Sequence, residues 1–124
     1  MKQEEKELLL KDLCSRLPYG IKASYYGAEE ECETWDEIEG ITLDGYLDIG
    51  QYSLPIESIK PYLFPLSSMT REQEREWQSL MVCDIYGIFY HTIESFDYLY
   101  KNHIDIRGLI PMGLANDATG KNIY

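Results

Sequence analysis

The stretch Ile41-Thr-Leu-Asp-Gly-Tyr-Leu-Asp-Ile-Gly-Gln-Tyr-Ser-Leu-Pro-Ile56 decides the fold, because its apolar residues alternate with polar ones. The alternating runs are residues 41–43, 46–49 and 52–56. They are separated by Asp44-Gly45, a dipeptide typical of tight hairpin turns, and by Gly50-Gln51. Short strands divided by turns predict a small, strongly bent antiparallel sheet or an SH3-like barrel.

The segment before this stretch predicts a helix and then a further strand. Residues 2–17 show a 3.6-residue period, with an apolar face of Leu10, Leu13, Cys14 and Leu17. Cys14 is therefore expected to be a small core residue. From residue 21 to residue 26 the period changes to two, so the small β unit is predicted to span residues 20–57.

Prolines and a capping motif divide the next segment. Lys60–Pro65 contains Pro61 and ends at Pro65, and we expect it to be a stiff extended connector. Thr70-Arg-Glu-Gln73 fits a capping box, which predicts a helix over residues 70–80. Residues 81–91 contain bulky residues around Gly87 and predict a strand or hairpin, with continuation of the helix as the alternative.

The remaining residues predict one more helix and a loose tail. Thr92 or Ser95 can cap a helix over residues 95–103, and a short helical turn should stop at Gly113. The polar residues 116–124 are expected to be frayed. The prediction is one α+β domain over residues 1–124, with an N-terminal helix, a small sheet, and two or three short helices.

An acidic run over residues 29–39 holds seven carboxylates and no basic residue. Unpaired charges cost several kcal/mol or more to bury, so the run is expected to be an exposed loop or sheet edge. Carboxylates would steer a basic partner, and the tryptophan would anchor it. The predicted contact residues are Glu29, Glu30, Glu31, Glu33, Trp35, Asp36 and Glu37.

The overall charge limits the classes of partner. The chain has 22 acidic and 11 basic residues, a net charge of −11, and a pI near 4.5. Phosphate backbones and anionic membranes would repel it, so neither nucleic acid nor membrane is expected to bind directly. Three widely spaced cysteines imply no disulfide framework, and residues 1–7 lack the apolar core of a signal peptide. We expect a cytoplasmic protein, either a monomer or a weak homo-oligomer.

The sequence contains no strong motif for catalysis, metal binding or a cofactor. His103-x-Asp105 is the one close pair of metal-ligand type. Cys83 and His91 could meet across a hairpin as nucleophile and base, but the sequence supplies no third group to orient them. The glycines of Gly108–Gly113 have P-loop spacing, but Leu114 stands where lysine is required. We therefore predict a non-enzymatic protein-interaction module without cofactors.

Two other functions fit the same residues. A surface with evenly spaced carboxylates could imitate DNA charge and inhibit a nucleic-acid-binding protein. A small ligand or nucleotide could instead bind between the sheet and the third helix, where Tyr98, His103 and Arg107 are the candidate polar groups.

Several strings of the chain resemble one family. They are Lys60-Pro-Tyr-Leu-Phe-Pro-Leu-Ser-Ser-Met-Thr70, Ser95-Phe-Asp-Tyr-Leu99 and Asn102-His-Ile-Asp-Ile-Arg-Gly-Leu-Ile110, with Lys11–Gly20 as a further match. The sequence is similar in these places to small proteins of Bacteroides-type gut bacteria, often encoded in prophages and other mobile elements. The motifs carry no assigned chemistry, so no catalytic residue is implied. The resemblance implies a bacterial or phage genome and an accessory role in the cytoplasm.

Overall fold

The computed structural model describes residues 1–25 and 34–124 and has α+β architecture, as the sequence predicts. The first helix, α1 (Gln3–Arg16), is followed by strands β1 (Lys22–Tyr25), β2 (Thr34–Ile41), β3 (Tyr46–Ile49), β4 (Tyr52–Pro55) and β5 (Ile59–Pro65). Next come α2 (Arg71–Ser79), β6 (Val82–Cys83), β7 (Phe89–Tyr90), α3 (Ile93–Lys101), β8 (Ile104–Asp105) and β9 (Asn116–Asp117).

The main sheet has the order β4-β3-β2-β1-β5-β8, with β9 also paired to β5. Strands β1 to β5 pair antiparallel, whereas β8 and β9 run parallel to β5, so the sheet is mixed. Among the described pairings none joins β4 to β8, and the sheet is therefore open rather than a closed barrel. Strand β2 lies inside the sheet, which corrects the expectation of a loop or edge for its part of the acidic run.

The main core lies where α1 packs with the sheet. Its largest fully buried residues include Leu9, Leu13, Ile21, Leu47, Ile49, Ile59, Leu63 and Leu109. Tight turns let the strands present these side chains in alternation, as the period of two predicts. Leu43 is fully exposed because β2 ends at Ile41, and the turn between β2 and β3 begins at Thr42.

The buried face of α1 differs from the predicted one. Its buried residues are Leu9, Asp12, Leu13 and Arg16, while Cys14 is exposed, so the prediction of a core cysteine is wrong. The spacing is still that of one helix face. A charged pair occupies two of the four positions, and hydropathy alone assigns such residues to solvent.

Asp12 and Arg16 form a fully buried ion pair. The Arg16 Nε donates to Asp12 Oδ2 at 2.6 Å and its Nη2 donates to Asp12 Oδ1 at 3.2 Å. A third bond runs from Arg16 Nη2 to the Ile104 carbonyl at 2.7 Å, and Arg107 Nε donates to Asp12 Oδ1 at 3.1 Å. The guanidinium of Arg16 also lies 5.1 Å from the centroid of the Tyr100 ring. This network joins α1 to the segment that follows α3.

Lys60–Pro65 belongs to a strand and is not a connector. Strand β5 contains Pro61 and lies between β1 and β8, and it also pairs with β9. Proline favours extended backbone before it, and the amides of a strand alternate between its two neighbours. One proline therefore removes only one hydrogen bond from the ladders and is compatible with a sheet interior.

The tail is also ordered, contrary to the prediction of a frayed segment. Ala118 and Ile123 are buried, and the amide of Ala118 donates to the carbonyl of Leu63. The Tyr124 ring stacks on His103 at 3.6 Å between centroids, and its hydroxyl donates to the Tyr62 carbonyl at 2.8 Å. These contacts depend on partners far away in sequence, which a local reading of polar residues misses.

The helices of the second half match the predicted motifs. Thr70 Oγ1 accepts the amide of Gln73, whose side chain accepts the amide of Thr70, so the capping box of α2 is formed. Thr92, the first of the two predicted candidates, caps α3 through the amide of Ser95. Residues 81–91 form a hairpin. The separate turn that follows β8 ends at Gly113, which has φ +77°.

Candidate functional site

The acidic residues predicted to bind a partner are only partly described. Glu29, Glu30, Glu31 and Glu33 lie outside the described residues. Trp35, Asp36 and Glu37 are exposed on β2. Successive residues of a strand point to opposite faces, so Trp35 and Glu37 share one face while Asp36 points to the other.

Trp35 already has a cation beside it. The ammonium of Lys22 lies 5.2 Å from the centroid of the Trp35 ring. An exposed cation–π contact of this kind contributes about 0.5–1 kcal/mol. The three described members of the predicted contact therefore do not form one free acidic face.

The three polar groups of the predicted ligand pocket lie apart. The Tyr98 hydroxyl donates to Glu76 Oε2 at 2.8 Å. Burial is the largest cause that raises the pKa of Tyr98 to about 12, and this hydrogen bond is the second. His103 and Arg107 line separate cavities of about 420 and 460 Å³. Arg107 is also bound to Asp12 and to the Tyr100 hydroxyl. The three residues therefore do not line one common pocket.

Exposed apolar side chains concentrate around the β6–β7 hairpin. Sixteen large hydrophobic residues of the described chain are exposed, and nine of them fall between residues 80 and 96. They are Leu80, Val82, Ile85, Tyr86, Ile88, Phe89, Tyr90, Ile93 and Phe96, called here the hairpin surface. Ile85 and Tyr86 at its tip are 91% and 82% exposed.

The two faces of the hairpin are both open to solvent. Val82 pairs with Tyr90, and Cys83 pairs with Phe89, so these two pairs point to opposite faces. Val82, Tyr90 and Phe89 are each about half exposed. The hairpin therefore projects from the body of the protein and does not lie flat on it.

Asp84 holds the tip of this hairpin in one shape. Its Oδ1 accepts the amides of Tyr86 at 2.8 Å and Ile88 at 3.0 Å, and its Oδ2 accepts the hydroxyl of Tyr90 at 3.1 Å. The bond from the Ile88 amide is the main cause that lowers the pKa of Asp84. Gly87 completes the turn with φ +79°, a conformation that favours glycine. The carboxylate of Asp84 is therefore hydrogen-bonded to other residues of the hairpin.

The base of the hairpin is fixed to the two helices. The Thr92 hydroxyl donates to the Leu80 carbonyl at 2.6 Å. His91 stacks on Phe96 at 4.5 Å between ring centroids and lies 5.6 Å from Trp77. A rigid base and an ordered tip reduce the conformational entropy that a binding partner would have to remove.

The geometry supports neither of the catalytic or metal sites considered from the sequence. The Cys83 thiol donates to the carbonyl of Asp84, whereas His91 Nδ1 lies 3.3 Å from Ser95 Oγ, so each has a hydrogen-bond partner other than the one considered from the sequence. Asp105 accepts the amides of Leu109 and Ile110. Within residues 1–25 and 34–124, no three side chains of metal-ligand type cluster together.

Residues 81–91 were predicted as a strand or hairpin, and no binding role was predicted for them. The signal was nevertheless present, because residues 80–93 contain a single acidic residue and no lysine or arginine in a chain of net charge −11. An apolar segment of this length with one charged residue lies either in the core or in an exposed apolar patch, and the structure places it in a patch.

Comparisons with known proteins add no assignment. No family model, curated protein or solved structure matches the chain. The similarity to gut-bacterial and prophage proteins therefore stays a prediction. None of the described helices is both long and apolar enough to cross a membrane.

Proposed function

We propose that this chain is a non-enzymatic protein-interaction module that binds another protein through the hairpin surface. The observation that carries the proposal is the exposure of nine large apolar side chains within seventeen residues. At about 150–200 Å² for each fully exposed side chain, they present roughly 900 Å². Typical monomers expose apolar patches of about 300–600 Å², and a standard interface buries about 800 Å² on each partner.

The shape of the surface defines the shape of its partner. Because both faces of the hairpin are exposed, a flat partner would cover only one of them. A partner with an apolar groove would cover Val82 and Phe89 at the same time and enclose Ile85 at the tip. Central apolar anchors of this kind supply most of the free energy of a protein interface.

The charges around the hairpin favour a basic rim on that groove. Residues 71–101 carry six acidic and three basic side chains, including Glu94 and Asp97 on α3. Complementary charges at a rim raise the association rate and select the partner. A second copy of this chain would bring another net charge of −11 and would be repelled.

The proposal is tested by affinity capture with matched variants. Bait proteins are the unaltered chain, Ile85→Ser with Tyr86→Ser, and Leu43→Ser, which changes an exposed leucine in a distant turn. We expect one protein to be held by the unaltered chain and by Leu43→Ser, lost by the hairpin variant, and weakened by salt. The captured protein is then produced alone, and its binding is measured directly.

Two outcomes would contradict the proposal. In the first, the hairpin variant and the unaltered chain capture the same proteins. In the second, sedimentation velocity shows a dimer of the unaltered chain that the hairpin variant no longer forms, which would identify a second copy as the occupant.

A further inference from the structure

A second site lies beside the stacked rings of His103 and Tyr124. This cavity of about 420 Å³, called here the His103 cavity, falls in the usual size range of small-molecule pockets. Its lining includes Phe64, Gln73, Lys101 and Thr119. It involves none of the residues of the hairpin surface, so the inference is independent of the proposed function.

The charge of the cavity differs from that of the rest of the chain. None of the described residues that line it is acidic, although the chain has 22 acidic residues. The two other cavities described here carry charges of both signs, Lys6 with Glu7, Asp44 and Glu57 in one and Lys11 and Arg107 with Asp97 in the other. Lys101 is exposed at the end of α3 and forms no ion pair with any described residue.

Two cations, Arg16 and Lys22, act on His103 in the lining of the cavity. The pKa of His103 is lowered to about 4, mainly by burial and in addition by the charges of Arg16 and Lys22. The imidazole is therefore neutral near pH 7, which leaves Lys101 as the charged side chain of the lining. Two acids act nearby: Asp117, whose carboxylate accepts the backbone amide of Thr119, and Glu37, whose charge acts on Tyr124.

The walls offer both flat rings and free donors. Phe64 and His103 lie 6.0 Å and 3.6 Å from the Tyr124 ring between centroids. His103 has φ +60°, an uncommon backbone conformation for a residue other than glycine, and its buried Nδ1 has no hydrogen-bond partner among the described residues. Gln73 uses its side-chain oxygen at the α2 cap, which leaves its amide nitrogen as a donor.

We propose that the His103 cavity binds a small organic anion consisting of a planar ring and one carboxylate or phosphate group. The anionic group contacts Lys101, with the Gln73 amide as an additional donor. The ring lies against Phe64 and Tyr124, where aromatic contact contributes to affinity.

The test uses two probes of equal size and different charge, benzoate and benzamide. Calorimetry measures affinity, and NMR follows the imidazole resonances of His103. We expect benzoate to bind, to shift the His103 resonances, and to bind at least about fivefold more tightly than benzamide. Phenyl phosphate distinguishes a phosphate site from a carboxylate site, since the group that fits better binds more tightly.

Matched lysine variants locate the charge. Lys101→Met is expected to reduce the affinity for benzoate to that for benzamide, whereas Lys60→Met removes the same charge from an exposed position of β5 without this effect. The proposal is overturned if the two probes bind equally, if Lys101→Met leaves benzoate binding unchanged, or if neither benzoate nor phenyl phosphate binds at concentrations up to about 10 mM.

Discussion

Replacing Asp12 with alanine should destabilise the protein more than any exposed charge change. Asp12 and Arg16 are both 0% exposed, and the carboxylate supplies two of the three hydrogen bonds of the Arg16 guanidinium. Without it, a buried cation keeps only the Ile104 carbonyl and the face of Tyr100. Removing one partner of a buried ion pair costs about 3–5 kcal/mol.

The loss is measured as the free energy of unfolding in urea, followed by circular dichroism. With a typical urea dependence of about 1–3 kcal/mol per molar, the midpoint of Asp12→Ala should fall by about 2 M. Because domains of this kind are stable by about 5–15 kcal/mol in total, the variant should keep little of its stability.

An exposed pair provides the control. Lys6 and Glu57 are 2.9 Å apart, with side chains 33% and 40% exposed, and Glu57→Gln should cost less than about 1 kcal/mol. Replacing Asp12 by leucine and Arg16 by methionine together should recover part of the loss, since no buried charge on α1 remains unpaired. If Asp12→Ala unfolds within about 1 kcal/mol of the unaltered chain, the buried network is not what holds α1 in place.

Two further effects follow from the packing around Tyr124. As pH falls from 6.5 to 4, the unfolded chain protonates His103 before the folded protein does, so stability should decline by about 1–2 kcal/mol over this range. His103→Gln should flatten this part of the urea-midpoint profile against pH. Tyr124→Phe removes the hydroxyl that accepts the Lys22 amide, and should cost about 1–3 kcal/mol and speed hydrogen exchange of that amide. The half-exposed Tyr46→Phe is the matched control, and equal losses in the two tyrosine variants would contradict the assignment.

Local patterns predicted the elements whose contacts are local. The period of two and the turn dipeptides predicted β3 and β4, since a hairpin places the apolar face of each strand by its turn, whereas β2 lies over the acidic run that was expected to be a loop or edge. The capping box at Thr70 and Gln73 located the start of α2, because both partners lie within four residues.

Elements that depend on distant partners were not predictable in this way. Strands β8 and β9 have two residues each, too few to show a period, and they exist because β5 offers them hydrogen bonds. The burial of Asp12 and Arg16 likewise requires Arg107 and Ile104, which are about 90 residues away in sequence. The hairpin was visible as an apolar run with one charged residue, Asp84, but only the structure places it in solvent.

The most direct test of the account is the affinity of the captured partner for three forms of the chain. Surface plasmon resonance should give at least about 30-fold weaker binding for Ile85→Ser, since a central anchor contributes about 2 kcal/mol or more. Leu43→Ser should bind within about twofold of the unaltered chain. If Ile85→Ser binds as tightly as the unaltered chain, the hairpin surface is not the binding site.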